Sequence, residues 1–366
     1  MILSSLLVRN FRMIEEAVLT LGPGIQLFLG ANAQGKTSLI EAILFLSTST
    51  SHRTRREEEL IRWGSETAFL RGEAEEESVK ERIECGLEKK RKSVKIDGAA
   101  LPRIGDLYGH LRTVLFAPED LEIVAGGPQM RRRFLDMSIA QIDREYIALL
   151  QKFRRTLEQR NAVLKRLQND PHGSGMRELA VWDRPFLEYA AQIVHRRGET
   201  VRNLGPLAEE FYAGLADDGP LGLAYPPGEE ANVEDIAKRM AERLERSRMA
   251  EIERGSSQIG PHRDDPALSL KGKNLAQFGS QGQKRTAALA LRLAEARLCA
   301  AKTGRRPILL IDDVVYEMDN RRRARFWERI DLDGQLIVTA TSREHLGAEL
   351  IPAKIFQVND GTICAD

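Results

Sequence analysis

A P-loop pattern, G-x-x-x-x-G-K-[ST], is matched in full by Gly30-Ala-Asn-Ala-Gln-Gly-Lys-Thr37. The match follows an apolar run at residues 25–29 and opens a helical pattern over residues 37–46, which is the strand–loop–helix context that a P-loop requires. The glycines allow backbone N–H groups to face inward around a phosphate, and the start of the helix adds about half a positive charge. In this interpretation Lys36 contacts the β- and γ-phosphates and the hydroxyl of Thr37 ligates Mg²⁺. The alternative is a glycine-rich turn that binds nothing.

A second element of the same site is predicted where the strand Ile308-Leu-Leu-Ile-Asp-Asp313 ends in two carboxylates. In P-loop enzymes a buried strand of this kind places an acid beside the metal. We expect Asp312 to hold Mg²⁺, and we expect Asp313 to act in catalysis by orienting or deprotonating the attacking water. Lys36, through its contact with the phosphates, is the second predicted catalytic residue. The alternative is a strand end whose acids only cap the following turn.

Length and composition describe a folded protein with no overall charge bias. The chain has 366 residues, of which 42% are hydrophobic and 30% charged, and its net charge is +1. This composition argues against disorder and against a polycation that coats nucleic acid, so contacts with phosphates must come from local patches. Cys85, Cys299 and Cys364 form no disulfide or metal pattern, and no apolar run approaches about 20 residues. We therefore expect a cytoplasmic protein without a membrane span or signal peptide.

The two halves of the predicted nucleotide site lie near opposite ends of the chain, and one site needs them together in space. The residues between them must then form an insertion, and an α/β head is built from the two terminal segments. Apolar residues at three-four spacing over residues 139–167 predict one helix of about seven turns. A second long helix and, after a Gly/Pro loop at 217–228, a third near Ile236 complete a helical arm. The predicted division is 1–125, 126–255 and 256–366.

A second phosphate-binding segment is predicted at Ser280-Gln-Gly-Gln283, directly before an apolar helix over residues 287–298. A serine and a glycine at the start of a helix form an anion site. The alternative is an ordinary helix N-cap. The order of P-loop, helical insertion, S-x-G-Q segment and acidic strand resembles that of the ABC-type heads of SMC-like ATPases.

In closer detail the chain resembles the RecF family of bacterial recombination mediators. The matching stretches run in order from near the start to near the end of the chain. They are Leu7–Arg12, Gly30–Thr37, Phe116–Leu121, Arg131–Asp136, Gly260–Asp265, Ser280–Gln283, and Leu310–Val314 through Glu317–Asp319. The resemblance implies an SMC-like, ABC-type P-loop head with an inserted helical arm, ATP and Mg²⁺ as cofactors, and ATP-dependent homodimerisation.

The resemblance also implies a function in DNA replication and repair. RecF-like proteins are weak, DNA-stimulated ATPases that bind double-stranded DNA at the single-strand/duplex junctions of gapped DNA. They help RecR and RecO to load RecA, and they support replication restart and the SOS response. No membrane partner is implied.

For the site, the resemblance assigns roles residue by residue. ATP binding is assigned to Arg12, Gly30, Ala31, Asn32, Ala33, Gln34, Gly35, Lys36 and Thr37. Contact in trans with the γ-phosphate held by a second copy is assigned to Ser280, Gly282 and Gln283, and the D-loop position to Asp319. The chain departs from its relatives at Tyr316, where a serine is usual, and at Thr339-Ala-Thr341, which stands at the position of the usual switch histidine. Asp313 also replaces the glutamate of transporter-type ATPases, and its shorter side chain fits slow hydrolysis.

Basic residues that could contact duplex DNA fall into two groups. They are the turn at Lys89, Lys90, Arg91 and Lys92, and the pair Arg55 and Arg56. The alternative for each group is a solvated charged face. No aromatic residues interleave with these charges, so we expect contacts with the duplex backbone rather than stacking on single strands.

Two other function classes stay open on the residues alone. One is an ABC ATPase subunit coupled to a transporter, which predicts a much shorter helical insertion. The other is a small-molecule phosphotransferase, which leaves the arm and the segment Ser280–Gln283 unexplained.

Overall fold

The computed structural model describes residues 1–54, 56–77, 79–89, 91–170, 175–228, 232–314, 318–346 and 350–366. Of the residues singled out above, Arg55, Lys90, Tyr316 and Glu317 lie outside the described residues. The strands are β1 (Ile2–Phe11), β2 (Ile14–Thr20), β3 (Gly24–Leu29), β4 (Thr67–Glu76), β5 (Val79–Glu88), β6 (Arg91–Ile96), β7 (Ala99–Ala100), β8 (Thr113–Phe116), β9 (Leu221–Ala224), β10 (Ala267–Leu270), β11 (Lys273–Asn274), β12 (Ile308–Asp312), β13 (Gln335–Ala340), β14 (Lys354–Asn359) and β15 (Thr362–Ala365). The α-helices are α1 (Lys36–Thr48), α2 (Leu121–Ala125), α3 (Pro128–Ile142), α4 (Tyr146–Leu167), α5 (Gly175–Leu215), α6 (Val233–Arg254), α7 (Leu275–Phe278), α8 (Gln281–Thr303) and α9 (Asn320–Trp327). Within these residues no helix has the length and apolar character needed to cross a membrane.

The described chain folds into two compact units. The head unit consists of Met1–Leu121, Glu210–Asp218 and Arg285–Asp366, and the arm unit of Glu122–Glu209 and Gly219–Lys284. The N- and C-terminal segments therefore share one α/β unit, as the sequence predicts. The arm unit also holds residues 256–284, which the expected division places in the head, and that division stays a prediction.

The nucleotide motifs meet at one edge of a mainly parallel sheet in the head unit. The strand order is β15-β14-β3-β13-β12-β8, in which β15 alone runs antiparallel to its neighbour. Strands β12 and β13 are buried along their whole length, as expected for a parallel sheet covered on both faces. The P-loop follows β3, the two acids end β12, and β13 lies between these strands. The motifs are adjacent because the carboxyl ends of parallel strands share an edge.

An antiparallel sheet in the order β2-β1-β4-β5-β6-β7 completes the strands of the head unit. The main hydrophobic core contains side chains of both sheets and of α1, among them the fully buried Leu3, Phe45 and Leu310. The turn expected around Lys89 joins β5 to β6, and Asp97-Gly98 forms the turn between β6 and β7.

The arm unit contains the predicted long helices, but the first of them is interrupted. The single helix expected over residues 139–167 is wrong, because α3 ends at Ile142 and α4 begins at Tyr146. Asp143 leaves the helical conformation, with φ −119° and ψ 103°, and its side chain accepts a hydrogen bond from the backbone N–H of Glu145 at 2.9 Å. An aspartate that bonds the nearby backbone in this way favours a turn over a continuing helix.

A second difference lies in the expected Gly/Pro loop at 217–228. Strand β9 lies within it and pairs antiparallel with β10, which also pairs with β11. Leu221 is buried in this small sheet. A strand of four residues carries too short a pattern to be recognised, and its partner lies far along the chain.

A buried ion cluster joins the long helices of the arm unit. Arg160 of α4 is fully buried and donates to Asp183 of α5 at 2.8 Å, to Glu251 of α6 at 2.7 Å and to Ser257 at 2.6 Å. Its guanidinium also lies 4.9 Å from the centroid of the Phe186 ring. Each of these buried charges has a partner, which is the condition under which buried ions are tolerated.

Candidate nucleotide-binding site

The P-loop is a tight backbone turn that requires small residues. Ala33 and Gly35 take left-handed conformations, with φ of 63° and 110°. Turns of this kind point backbone N–H groups into a common concavity that binds anions. A Cβ at Gly30 would lie 2.3 Å from the carbonyl oxygen of Val358, so no side chain fits there. Gly35 is the N-cap of α1, so the positive end of that helix faces the loop.

The C-terminal hairpin β14–β15 braces this loop. The side-chain oxygen of Gln34 accepts a hydrogen bond from the backbone N–H of Asp360 at 2.7 Å, and its carbonyl oxygen accepts one from that of Gly361 at 2.9 Å. Gly361 has a φ of 76°, and a Cβ there would lie 2.2 Å from the carbonyl oxygen of Met13. This support was not predicted from the sequence, although the pair Asp360-Gly361 is a known signal for a hairpin turn.

Lys36 links the P-loop to the acidic strand. Its side chain is 3% exposed, and its ammonium donates to the carbonyl oxygens of Gly30 at 2.8 Å and Ala31 at 3.1 Å. The same ammonium lies 3.5 Å from Oδ2 of Asp313. The structure thus brings together the P-loop lysine and an acid from the other end of the chain.

Asp312 ends β12 and is 3% exposed. Its Oδ1 accepts a hydrogen bond from the hydroxyl of Thr339 at 2.8 Å, and Thr37 is a second side-chain partner. Burial raises the pKa of Asp312 to about 6, helped by the charges of Asp313 and Glu119 and opposed by the two hydrogen bonds. A carboxylate and a hydroxyl held together offer the hard oxygen ligands that Mg²⁺ prefers, and a cation beside the carboxylate would lower this pKa. The residues present therefore fit a magnesium ion.

Asp313 lies just beyond β12 in an unusual conformation. Its φ is 51°, in the left-handed region that aspartate enters more readily than most residues. Its backbone N–H donates to Oγ1 of Thr339 at 3.1 Å. Its Oδ1 is shielded from solvent and has no hydrogen-bond partner within the described residues. The side chain as a whole is 30% exposed, so a substrate or water can reach the carboxylate.

Arg12, at the turn between β1 and β2, is engaged with the helix that follows the P-loop. Its guanidinium donates to both carboxylate oxygens of Glu41, at 2.8 and 2.9 Å, and to the carbonyl oxygen of Glu59 at 2.7 Å. Glu41 is fully buried, and Ser51 also donates to it. Burial by itself raises the pKa of Glu41, but the hydrogen bonds from Arg12 and Ser51 and the charge of Arg12 outweigh it, so that the pKa lies below the ordinary 4.5. A direct contact of Arg12 with ATP stays a prediction.

The S-x-G-Q segment lies in the arm unit, at the start of α8. The backbone N–H of Ser280 donates to Oε1 of Gln283 at 2.9 Å, and the N–H of Gln283 donates to Oγ of Ser280 at 3.2 Å, a reciprocal capping box. The helix N-cap that the sequence allows is therefore present, while Ser280 is exposed and Gly282 half-buried. Asp319 is exposed and caps α9 by accepting a hydrogen bond from the N–H of Arg322 at 2.9 Å. Contact of these residues with a second copy stays a prediction.

The basic residues predicted to contact DNA differ in how far their charges are engaged within the fold. Lys89 at the β5–β6 turn and Arg91 on β6 are exposed, and the side chain of Arg56 is 84% exposed. Lys92 is only 12% exposed and is paired with Glu57. The exposed side chains are accessible to a phosphate, whereas Lys92 must first leave its partner.

Fold and site together define the class of protein. A parallel sheet with a P-loop and an acidic strand at one edge, an antiparallel sheet in the same unit and a helical insertion form an SMC-like, ABC-type ATPase head. The RecF/RecN/SMC N-terminal domain family matches residues 2–363. The fold is shared with an Smc head domain from Pyrococcus furiosus, bound to the C-terminal domain of ScpA, at 17% identity and a TM-score of 0.56 over 100% of this chain and 95% of that one.

Within this class the chain belongs to the RecF family. It is 38% identical over 371 residues to the DNA replication and repair protein RecF of Staphylococcus aureus (strain JH9), covering 99% of both chains. It also matches two solved structures of the recombination mediator protein RecF in the RecFOR pathway. With RecF-ATP the TM-score is 0.91 at 33% identity over 100% of this chain and 97% of that one, and with RecF-ATPrS it is 0.90 at 32% identity over 100% and 98%. The predicted family and fold class are confirmed.

Proposed function

We propose that this chain is an ATP-dependent DNA-binding protein of recombinational repair. It dimerises on ATP, binds double-stranded DNA at the single-strand/duplex junctions of gapped DNA, and hydrolyses ATP slowly with stimulation by DNA. It acts in the cytoplasm with RecR and RecO to load RecA, in replication restart and the SOS response. The observation that carries the proposal is the contact of Lys36 with Asp313, which unites the two nucleotide motifs in a chain of the RecF family.

ATP binding follows from the geometry of the P-loop. The inward N–H groups and Lys36 bind the β- and γ-phosphates. On binding, the Lys36 ammonium leaves the neutral carbonyl oxygens of Gly30 and Ala31 and donates instead to charged phosphate oxygens. Thr37 and Asp312 are the residues that would hold Mg²⁺, which when bound neutralises charge on the phosphates. The hairpin at Asp360-Gly361 keeps the loop in its binding conformation.

Hydrolysis is assigned to Asp313. Its carboxylate, on a side chain that is 30% exposed, takes a proton from the attacking water as the water oxygen bonds to the γ-phosphorus and the bond to the ADP oxygen breaks. Lys36, 3.5 Å from the other oxygen of this carboxylate, stabilises the negative charge of the transferred group.

Dimerisation is assigned to the exposed Ser280 and the start of α8. A serine hydroxyl and a helix N-terminus suit the γ-phosphate bound by a second copy. In the dimer each ATP contacts two copies of the chain, whereas in the monomer it contacts one. ATP therefore binds the dimer more tightly, and this difference in affinity shifts the monomer–dimer equilibrium towards the dimer. Hydrolysis removes the bridging phosphate and reverses the shift.

DNA binding is assigned to local basic residues, since the net charge of the chain is only +1. Lys89, Arg91 and Arg56 are exposed and accessible to the duplex backbone. A plot of the logarithm of the binding constant against the logarithm of the salt concentration should fall with a slope of about 0.9 for each phosphate that they neutralise.

Light scattering after gel filtration, with and without ATP, tests the proposal. The wild type and an Asp313→Asn variant should be monomeric without ATP and dimeric with it, and Asp313→Asn should stay dimeric longer because it does not turn over. Duplex affinity should rise with ATP and fall with salt. As controls, Lys36→Ala should bind no fluorescent ATP analogue, and Ser280→Arg should bind it without dimerising. An Asp313→Asn protein that stays monomeric at saturating ATP contradicts the proposed role of ATP.

A further inference from the structure

A single hydroxyl contacts both acids of the nucleotide site. Thr339, near the end of β13, is 1% exposed. Its Oγ1 donates to Oδ1 of Asp312 at 2.8 Å and accepts a hydrogen bond from the backbone N–H of Asp313 at 3.1 Å. The other acceptor within reach of its proton, the carbonyl oxygen of Ile311, is farther away at 3.4 Å. Because a threonine hydroxyl has one proton, the carboxylate of Asp312 fixes its direction and leaves a lone pair for Asp313.

The strand pairing makes this arrangement rigid. Asp312 and Thr339 are direct partners in the parallel register of β12 and β13, and both strands are buried. The branched side chain of threonine has few χ1 rotamers, so its hydroxyl has little freedom. The hydroxyl is therefore a fixed point to which Asp312 and Asp313 are both hydrogen-bonded.

The conformation of Asp313 depends on that fixed point. A φ of 51° is sparsely populated for a residue other than glycine and persists where its surroundings hold it. The hydrogen bond from its N–H to Thr339 is a contact that holds it. The direction of the Asp313 carboxylate follows from this backbone.

We propose that Thr339 is a positioning residue for ATP hydrolysis, which aims the Asp313 carboxylate at the attacking water. This inference rests on the proposed function. Thr339 itself neither gains nor loses a proton: Asp313 takes the proton of the water while the new bond to phosphorus forms and the bond to ADP breaks. Its effect on the rate is exerted through Asp313.

The test compares Thr339→Val, which removes the hydroxyl and nearly keeps the shape, with Thr339→Ser, which keeps the hydroxyl. A misplacement of a catalytic group by about 1 Å costs about 100-fold in rate, so kcat of Thr339→Val should fall by about that factor. Its dissociation constant for a fluorescent ATP analogue should stay within about threefold of the wild type, and its ATP-bound dimer should last correspondingly longer. Thr339→Ser should stay within about threefold in both constants.

A double-variant cycle separates this role from a general loss of structure. In an Asp313→Asn background, Thr339→Val should lower the residual kcat little further, because the group that Thr339 aims is already gone. A merely structural role predicts instead that the two losses add. The folded fraction of each variant is measured by nucleotide titration before the rates are compared.

The outcomes are distinct. A wild-type kcat in Thr339→Val overturns the inference, as does an equal loss in Thr339→Ser. If Thr339→Val does not fold, Thr339→Ala replaces it, and the inference then predicts a kcat at least about tenfold below that of Thr339→Ser, while equal rates overturn it. A wild type that binds ATP and dimerises without hydrolysing it refutes the proposed turnover itself, and the inference falls with it.

Discussion

Replacing Arg12 by alanine should destabilise the head unit far more than the loss of a surface ion pair does. Glu41 is fully buried and accepts hydrogen bonds from Arg12 at 2.8 and 2.9 Å. Removing one partner of a buried pair costs about 3–5 kcal/mol, because the other charge is left uncompensated. Ser51 still donates to Glu41 in the variant, and Arg53 lies 4.0 Å from it. We therefore expect a loss at the lower end of that range, about 3 kcal/mol.

The loss should depend on pH with a definite sign. In the wild type the pKa of Glu41 lies below 4.5, so its charge stabilises the fold above that pH and the contribution is lost as the pH falls through the lower folded value. Without Arg12, burial is the dominant influence and raises the pKa of Glu41. Protonation of Glu41 then removes the uncompensated buried charge from the variant. The difference in stability between the two proteins should therefore shrink as the pH falls from about 7 to about 4.

Tryptophan fluorescence can isolate the head unit in this measurement. Trp327 lies in the head unit and is 6% exposed, whereas Trp63 is 97% exposed and its emission should change little on unfolding. Trp182 belongs to the arm unit, and a Trp182→Phe background removes its signal. Urea unfolding followed at the emission of Trp327 then gives the free energy of unfolding of the head unit.

Arg9→Ala, on β1 just before the turn that holds Arg12, is the matched control. Arg9 pairs with Glu16 at 2.8 Å, and both side chains are more than half exposed, at 57% and 52%. Exposed pairs of this kind contribute about 0–1 kcal/mol. Equal losses in Arg9→Ala and Arg12→Ala, or a loss in Arg12→Ala that does not change with pH, would refute the reasoning about the buried carboxylate.

Three other substitutions test separate parts of the site. Gly361→Ala should lower stability and ATP affinity, since a Cβ there would lie 2.2 Å from the carbonyl oxygen of Met13, and a nucleotide titration with unchanged affinity would contradict the bracing role of the hairpin. Burial raises the pKa of Asp312 from 3.8 to about 6, so its charge lowers the stability of the fold as the pH rises from about 4 to about 6 and does so fully above that range. Without Mg²⁺, Asp312→Asn should therefore raise the free energy of unfolding at pH 7.5 by up to about 3 kcal/mol, and it should abolish Mg²⁺-dependent ATP affinity; a urea titration showing a loss would count against this. Lys89→Ala should reduce the salt slope of duplex binding by about 1, whereas Lys92→Ala, which breaks an internal pair, should mainly lower stability; fluorescence anisotropy and thermal unfolding distinguish these outcomes.

The nucleotide motifs could be predicted because their chemistry restricts them to few residue types in a short span. Gly30 and Gly35 stand where a side chain would clash or where φ is positive, so the pattern records the geometry directly. Because one nucleotide site needs both motifs, Lys36 and Asp313 could be predicted to lie close together. This in turn predicts that the N- and C-terminal segments are adjacent, without any knowledge of the sheet order.

The supporting contacts could not be predicted in this way. The resemblance places Thr339 at the position of the usual switch histidine, but its contact with Asp312 depends on β13 lying between β3 and β12. No local pattern encodes that order. In the arm, helical spacing continues across Asp143 and therefore hides the break, because periodicity records which side is buried and not whether the backbone bonds are continuous.

Mixing two inactive variants is the most direct test of whether two copies share one nucleotide. Lys36→Ala lacks the P-loop ammonium and keeps Ser280, while Ser280→Arg keeps Lys36 and blocks the segment that we propose contacts a second copy. In a mixed dimer, one site combines the intact Lys36 of one copy with the intact Ser280 of the other. We predict that the mixture hydrolyses ATP although neither variant does so alone. A mixture that stays inactive at every ratio, while its Ser280→Arg copy still binds ATP, would contradict a nucleotide held between two copies.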